Sequence, residues 1–358
     1  MAEGPMSVGG QAILEGVMMR SPHSLAIALR RHSGEIVVKE DAWHSIWERA
    51  KFLRKPFLRG AVVLFESMHN GVKALTFSAN EAAKFAEDDK GQPVLVDESK
   101  ASEWAIAGTI LASVAFGFTL FAALPHFITW AMGVTTGSAS LASGKDFGFQ
   151  VVDGLIKISF LIGYLALISR MKDIQRVFQY HGAEHKSIFC YEDGKALTVA
   201  NARGYTTLHP RCGTSFLLIT FVVSILLFSV VMPFLPEISS VKALNQLAYV
   251  CIKLPLMFPV AGIAYEATRL SARFPRNPIV KAFTWPGLML QHITTREPDD
   301  QQLEIALAAL QMTLWREGRV QAGEAANGSQ ADAEPSVYSN FGDFEARLGP
   351  IAPVQVAA

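Results

Sequence analysis

Charged residues are scarce in this chain: Asp, Glu, Lys and Arg make up 18% of its 358 residues, and their formal balance is zero at pH 7. Without net basic charge there is no general attraction to a phosphate backbone, so nucleic acid is not an expected partner. Cysteine is sparse as well. Three thiols, Cys190, Cys212 and Cys251, make no disulfide framework, and reduced thiols are expected. Met1 to Arg20 lacks a basic start followed by an apolar core, so no cleavable signal peptide is read there and the first apolar span is expected to direct insertion. No internal repeat is visible, which argues against a transporter built from inverted halves.

What the chain does have is apolar residues, 50% of the total, gathered into runs. Four of them, from Trp104 to Met132, Val151 to Ser169, Thr214 to Leu235 and Leu247 to Tyr265, approach the roughly 20 residues that cross a bilayer core. They are continuous and do not alternate, so helices are expected and a barrel is excluded. Between the second and third runs lie Arg170, Lys172, Arg176, Lys186, Lys195, Arg203 and Arg211, whereas the two other connections carry Lys145 and Lys242. The basic segment, and with it both termini, is therefore expected on the cytoplasmic side.

The chain reads as a mainly α membrane protein with four transmembrane helices, a small N-terminal cytoplasmic β-hairpin unit and an interfacial amphipathic helix. Residues 1–56 form the strand and hairpin unit: a Gly-punctuated strand covers Gly9 to Arg20, and Leu25 to Lys39 folds back at Ser33-Gly34. Residues 57–80 carry Leu58, Phe65, Met68, Val72 and Leu75 at helical spacing opposite Arg59, Glu66, Asn70 and Lys73, the pattern of a helix lying on the inner leaflet. A polar linker, 81–103, leads to the membrane domain, 104–268, whose loop 170–213 is cytoplasmic. Residues 269–316 are a cytoplasmic segment ending in an amphipathic helix from Asp299 to Leu314, and 317–358 are expected to be a disordered tail.

Chemistry concentrates in the cytoplasmic loop. His181-Gly-Ala-Glu184-His185 places two imidazoles one helical turn apart with a carboxylate beside them, the spacing of inverted zinc peptidases. His209-Pro-Arg211-Cys212 follows in the same loop. Imidazole nitrogen and thiolate sulfur are zinc ligands, so His181, His185, His209 and Cys212 are candidates for a divalent metal, and Glu184 for a general base. Glu266, at the cytoplasmic end of the fourth run, competes with Cys212 as a carboxylate ligand. Glu15 and Arg20 are weaker candidates for supporting or substrate groups, with a surface ion pair as the plainer reading; Arg211 adjoins Cys212. Lys157 and Lys253 fall inside apolar runs, where a cation is a functional candidate unless its flexible stem carries it to the interface.

Three blocks, Gly9-Gly-Gln-Ala-Ile-Leu-Glu-Gly-Val-Met-Met-Arg-Ser-Pro22, Tyr180-His-Gly-Ala-Glu-His-Lys186 and Leu208-His-Pro-Arg-Cys-Gly-Thr-Ser-Phe216, resemble in order those of the YqhQ family of bacterial membrane proteins, a domain of unknown function. Members carry the label of metal-dependent enzymes. The resemblance thus implies a multi-pass protein of the bacterial inner membrane, in contact with the lipid bilayer, whose metal chemistry falls on His181, Glu184, His185, His209 and Cys212. It names no substrate or protein partner. The expected function is an inner-membrane metalloprotein with a zinc site of hydrolytic type at the cytoplasmic interface. The alternative is a non-enzymatic scaffold or assembly factor with a structural metal site.

Overall fold

The computed structural model describes residues 6–46, 50–84, 103–274, 277–322 and 334–349. Most of the linker expected at 81–103 lies outside them.

The N-terminal unit is a five-stranded antiparallel sheet in the order β1 (Gly9–Ile13), β2 (Gly16–Arg20), β3 (Ser24–Arg30), β4 (Ile36–Ala42), β5 (Ser336–Tyr338). The segment read as one strand from Gly9 to Arg20 is in fact a hairpin, with Ile13 opposite Gly16 and a turn at Leu14-Glu15. Glu15 takes φ +52 there. No Asn-Gly or Asp-Gly signal marks this turn, which is why the sequence conceals it. The second hairpin, β3–β4, reverses near Gly34, whose φ of +93 suits glycine.

Strands β2 and β3 are buried almost throughout because both faces of the sheet are covered. Val17, Met19, Ala26, Ala28, Ile36 and Val38 join one core with Tyr180, Ala183, Leu303 and Leu307. Met18, Leu25 and Ile27 point the other way, against Ala74 and Phe77. The first layer comes from α6 (Lys172–Glu192) and α11 (Asp300–Gln321), the second from α1 (Leu58–Lys84). Helix α11 starts with a capping box between Asp299 and Gln302. It is not amphipathic as expected. From Ile305 to Leu314 every residue is buried, because the sheet covers one side and α6, α7 (Val199–Arg203) and the C-terminal helix cover the rest.

The tail expected to be disordered over 317–358 requires correction at 317–322 and 334–349; its other residues lie outside those described. Residues 336–338 add β5 to the sheet edge, Ile36 opposite Tyr338, and α12 (Phe341–Leu348) packs on α11. Tyr338, Phe344 and Leu348 supply the buried surface. Few large apolar residues suffice here, since β4 and α11 already present a surface to dock on.

Four helical stretches are long and apolar enough to cross a membrane: Leu111–Thr136, Phe147–Ile168, Gly213–Phe234 and Lys242–Ser271. The first runs through α2 (Glu103–Phe118), a π-helical turn at Thr119–Ala123 and α3 (Leu124–Thr136); α4 (Ala139–Ser143) follows. The others are α5 (Phe147–Ile168), α8 (Gly213–Val231) and α9 (Lys242–Arg273). Leu111, Leu226 and Phe258 are among the apolar side chains they leave exposed. Helix α1 crosses α9 closely: a Cβ on Gly60 would sit 2.6 Å from Tyr265 Cβ, and Arg59 grips Glu266 beside it. Its burial is inverted relative to a soluble helix. Glu66, Asn70, Ser78 and Glu81 face inward, while Leu58, Phe65, Met68, Val72 and Leu75 face out. Helix α10 (Pro278–Thr294) packs on α8 through Gly287 and Ser215 and exposes Ile279 and Trp285.

If the tail anchors the sheet, Phe344→Ala should cost about 3–5 kcal/mol of stability. Limited proteolysis of the detergent-solubilised protein should then release the C-terminal segment at a lower temperature than in the parent.

Candidate metal centre

Three residues separate the end of α5 from helix α6, which carries His181 and His185 on one face, with ring centroids 4.4 Å apart. Cys212 is the N-cap of α8, its Sγ accepting from Thr214 N–H at 3.4 Å. One ligand atom from each of His181, His185 and Cys212 falls within 4.8 Å of the others. Each imidazole is fixed from behind: His181 Nδ1–H donates to Thr294 O at 2.8 Å, and His185 Nδ1–H donates to Thr207 O at 2.5 Å. That tautomer leaves both Nε2 lone pairs facing the thiol. His181 Nε2 lies 3.2 Å from Cys212 Sγ, and His185 Nε2 is buried without a hydrogen-bond partner. Two imidazoles with backbone-anchored Nδ1–H groups beside a sulfur match the donor set of a transition-metal site.

His209 stands next to this trio and outside it, its ring 5.5 Å from that of His185 and 4.4 Å from Phe189. Its backbone is clamped by Gln291, which accepts from His209 N and donates to His209 O, both at 2.8 Å. His209 Nδ1 accepts from Arg211 N–H at 3.2 Å, so the neutral ring carries its proton on Nε2. That buried Nε2–H makes no hydrogen bond, with Glu192 Oε2 3.5 Å away. The ligand atoms that converge are those of His181, His185 and Cys212, and His209 is not among them. Burial pushes His209 down to about 4 and also lowers His185.

Glu184 does not join the trio. Its side chain lies against β1, where a Cβ on Gly10 would come within 2.6 Å of Glu184 Cγ and 2.7 Å of Oε1. Burial raises its carboxyl above the usual carboxylate range, opposed by His181, His209 and the Gly10 N–H. Gly182 is equally constrained, since a Cβ there would meet Arg296 O at 2.1 Å. The small residues of both sequence blocks thus allow α6 to seat between sheet and bundle.

The remaining candidates lie elsewhere. Glu266 accepts from Arg59 on α1 and is not a member of the trio. Glu15 is bound by Arg176 and by Tyr180 Oη at 3.3 Å, which staples the β1–β2 turn to α6. Arg20 sits over the Trp43 ring, and burial lowers its pKa. Arg211 is paired with Glu192. Lys253 is buried in the bundle on Asp153. Sequence reasoning missed Gln291, Thr207 and Thr294, because residues that act through backbone carbonyls or a shared amide leave no spacing pattern.

The model for the family described as "Protein of unknown function (DUF1385)" matches residues 55–316. The chain belongs to this family. It is 33% identical over 319 residues to the "Uncharacterized protein YqhQ" of Bacillus subtilis (strain 168), covering 87% of this chain and 93% of that protein. No solved structure matches it.

The depressed His209 ring makes metal-free stability pH-dependent. The unfolded chain takes up a proton near pH 6.5, whereas the folded ring holds out to about 4, so stability is full above pH 6.5 and falls as pH drops toward 4. At its steepest, one such group contributes roughly 1.4 kcal/mol per pH unit. In chelator, the unfolding temperature should fall between pH 7 and 5, and less so in His209→Gln, with His185 retaining part of the slope.

Proposed function

We propose that this DUF1385 protein is a metal-dependent hydrolase of the bacterial inner membrane, with its metal centre at the cytoplasmic interface. The observation that carries the metal reading is the pair of backbone-anchored imidazoles, whose free Nε2 atoms converge with the Cys212 sulfur. Thiolate and imidazole together favour zinc among the common divalent ions. His181, His185 and Cys212 would hold the zinc ion, which would supply Lewis-acid chemistry for a hydrolysis.

The other groups divide the remaining work. His209 offers an uncommitted Nε2–H beside the trio and can donate to a substrate oxygen there. Glu184, not among the ligands, is the general base in this reading, a role supported by its electrostatic interaction with His181 and His209. Membrane placement is supported by the four apolar helices, by the lysines and arginines around α6, and by the outward apolar face of α1. The second reading, a structural metal in a scaffold, is favoured by the packing of Glu184 onto Gly10, away from open solvent.

Metal analysis of the purified full-length protein tests the reading. About one zinc per chain is expected, with retention in Glu184→Gln and loss of most metal in Cys212→Ser and His185→Asn. Hydrolysis of a panel of chromogenic esters and phosphodiesters by the zinc-loaded protein should fall at least a hundredfold in Glu184→Gln. Metal retained with activity unchanged in that variant supports the scaffold, and absence of metal overturns both readings.

A further inference from the structure

Apart from the metal centre, the largest concentration of buried charge lies inside the helical bundle. Asp153 Oδ2 accepts from Lys157 Nζ at 2.7 Å on its own helix and from Lys253 Nζ at 2.8 Å on α9. Lys253 Nζ also approaches His126 Nδ1 at 3.3 Å, and His126 Nε2 pairs with Gln246 Oε1 at 3.0 Å. All five side chains are buried. Both ammonium groups end on Asp153 and not at the surface of the bundle. Lys157 and Lys253 each lie six residues inside the apolar runs that begin at Val151 and Leu247, ~9 Å at 1.5 Å per residue.

The helices thus hold two ammonium groups against one carboxylate at a depth where unmatched charge is costly. The imbalance borders a space. A cavity of about 230 Å³ is lined by Lys157 and Lys253, with apolar walls that include Phe121, Phe221 and Phe228. Leu217, Leu254 and Met257 also line it and are 40%, 48% and 41% exposed, so its mouth opens sideways on the apolar surface of the bundle. Such a mouth admits molecules from the hydrocarbon phase.

The geometry points to a binding site for an aliphatic carboxylate, in which the carboxylate pairs with Lys157 and Lys253 and the chain fills the apolar cavity. A phosphate ester stays charged while crossing hydrocarbon, whereas a carboxylic acid can enter protonated and neutral. An engineered cavity of about 150 Å³ holds benzene, and by that ratio this one accommodates roughly nine non-hydrogen atoms, an acid of about six to eight carbons. One anion here would balance the second lysine, as Asp153 balances the first.

The test uses the full-length protein in phosphatidylcholine nanodiscs and carboxyl-labelled octanoate observed by NMR. Saturable binding of one octanoate per chain is expected, at least tenfold tighter than that of octanol or octyl phosphate. Lys157→Met should weaken it at least tenfold. Leu254→Trp, which narrows the mouth and leaves the ion pairs in place, should weaken it too, and guards against a lysine variant that fails to fold. Non-saturable partitioning, equal binding of octanol, equal or tighter binding of octyl phosphate, or unchanged affinity in folded Lys157→Met would overturn the proposal.

Discussion

Two N–H groups decide the character of the cluster of His181, His185 and Cys212. Had His181 and His185 been free to rotate, their rings could have bonded to any nearby acceptor, and spacing on a helix would mean little. Because their Nδ1 atoms are committed to the carbonyls of Thr294 and Thr207, the Nε2 atoms have one direction left, toward Cys212. Those carbonyls come from the end of α10 and from the loop before Cys212, so the site exists only when α6, α8 and α10 are assembled. Gln291 adds a clamp on the His209 backbone and donates to Ser215 on α8, tying the same elements.

Helix α6 is the shared part of two different environments. Its Tyr180 and Ala183 enter the core under the sheet, while its histidines face the bundle. Gly10 and Gly182 make the fit possible on the two sides, one yielding space to Glu184 and the other to the Arg296 carbonyl. Ion pairs at the margins, Glu15 with Arg176 and Lys186 with Glu297, hold α6 to the turn of β1–β2 and to the segment before α11. The half-exposed Glu15–Arg176 pair contributes little, whereas Lys186 is buried, and burial around Tyr180 and Leu303 adds apolar attachment.

Much of this was legible in the sequence where local pattern governs. The four apolar runs, the β3–β4 hairpin and the one-turn spacing of His181 and His185 follow from periodicity, composition and turn residues. What was hidden depends on partners distant in the chain. The β1–β2 turn uses Leu14-Glu15, which carries no turn signature, and β5 exists because β4 offers an edge to residues nearly three hundred positions later. Helix α11 looked amphipathic because its polar residues alternate with apolar ones, yet Gln311, Thr313 and Glu317 are buried and each finds an internal partner. His209 has ligand spacing, and the fold sets its ring against Phe189, outside the cluster of His181, His185 and Cys212. Asp153 drew no attention in the sequence, since only the fold reveals that it stands between two lysines.

X-ray absorption at the zinc edge of the zinc-loaded protein asks whether the proposed metal is held by two imidazoles and one thiolate with no fourth protein ligand. One sulfur at about 2.3 Å and two imidazole nitrogens at about 2.0–2.1 Å, with a remaining light-atom ligand that is not imidazole, are expected. A shell of three imidazoles and one sulfur, or one without sulfur, would contradict the proposal.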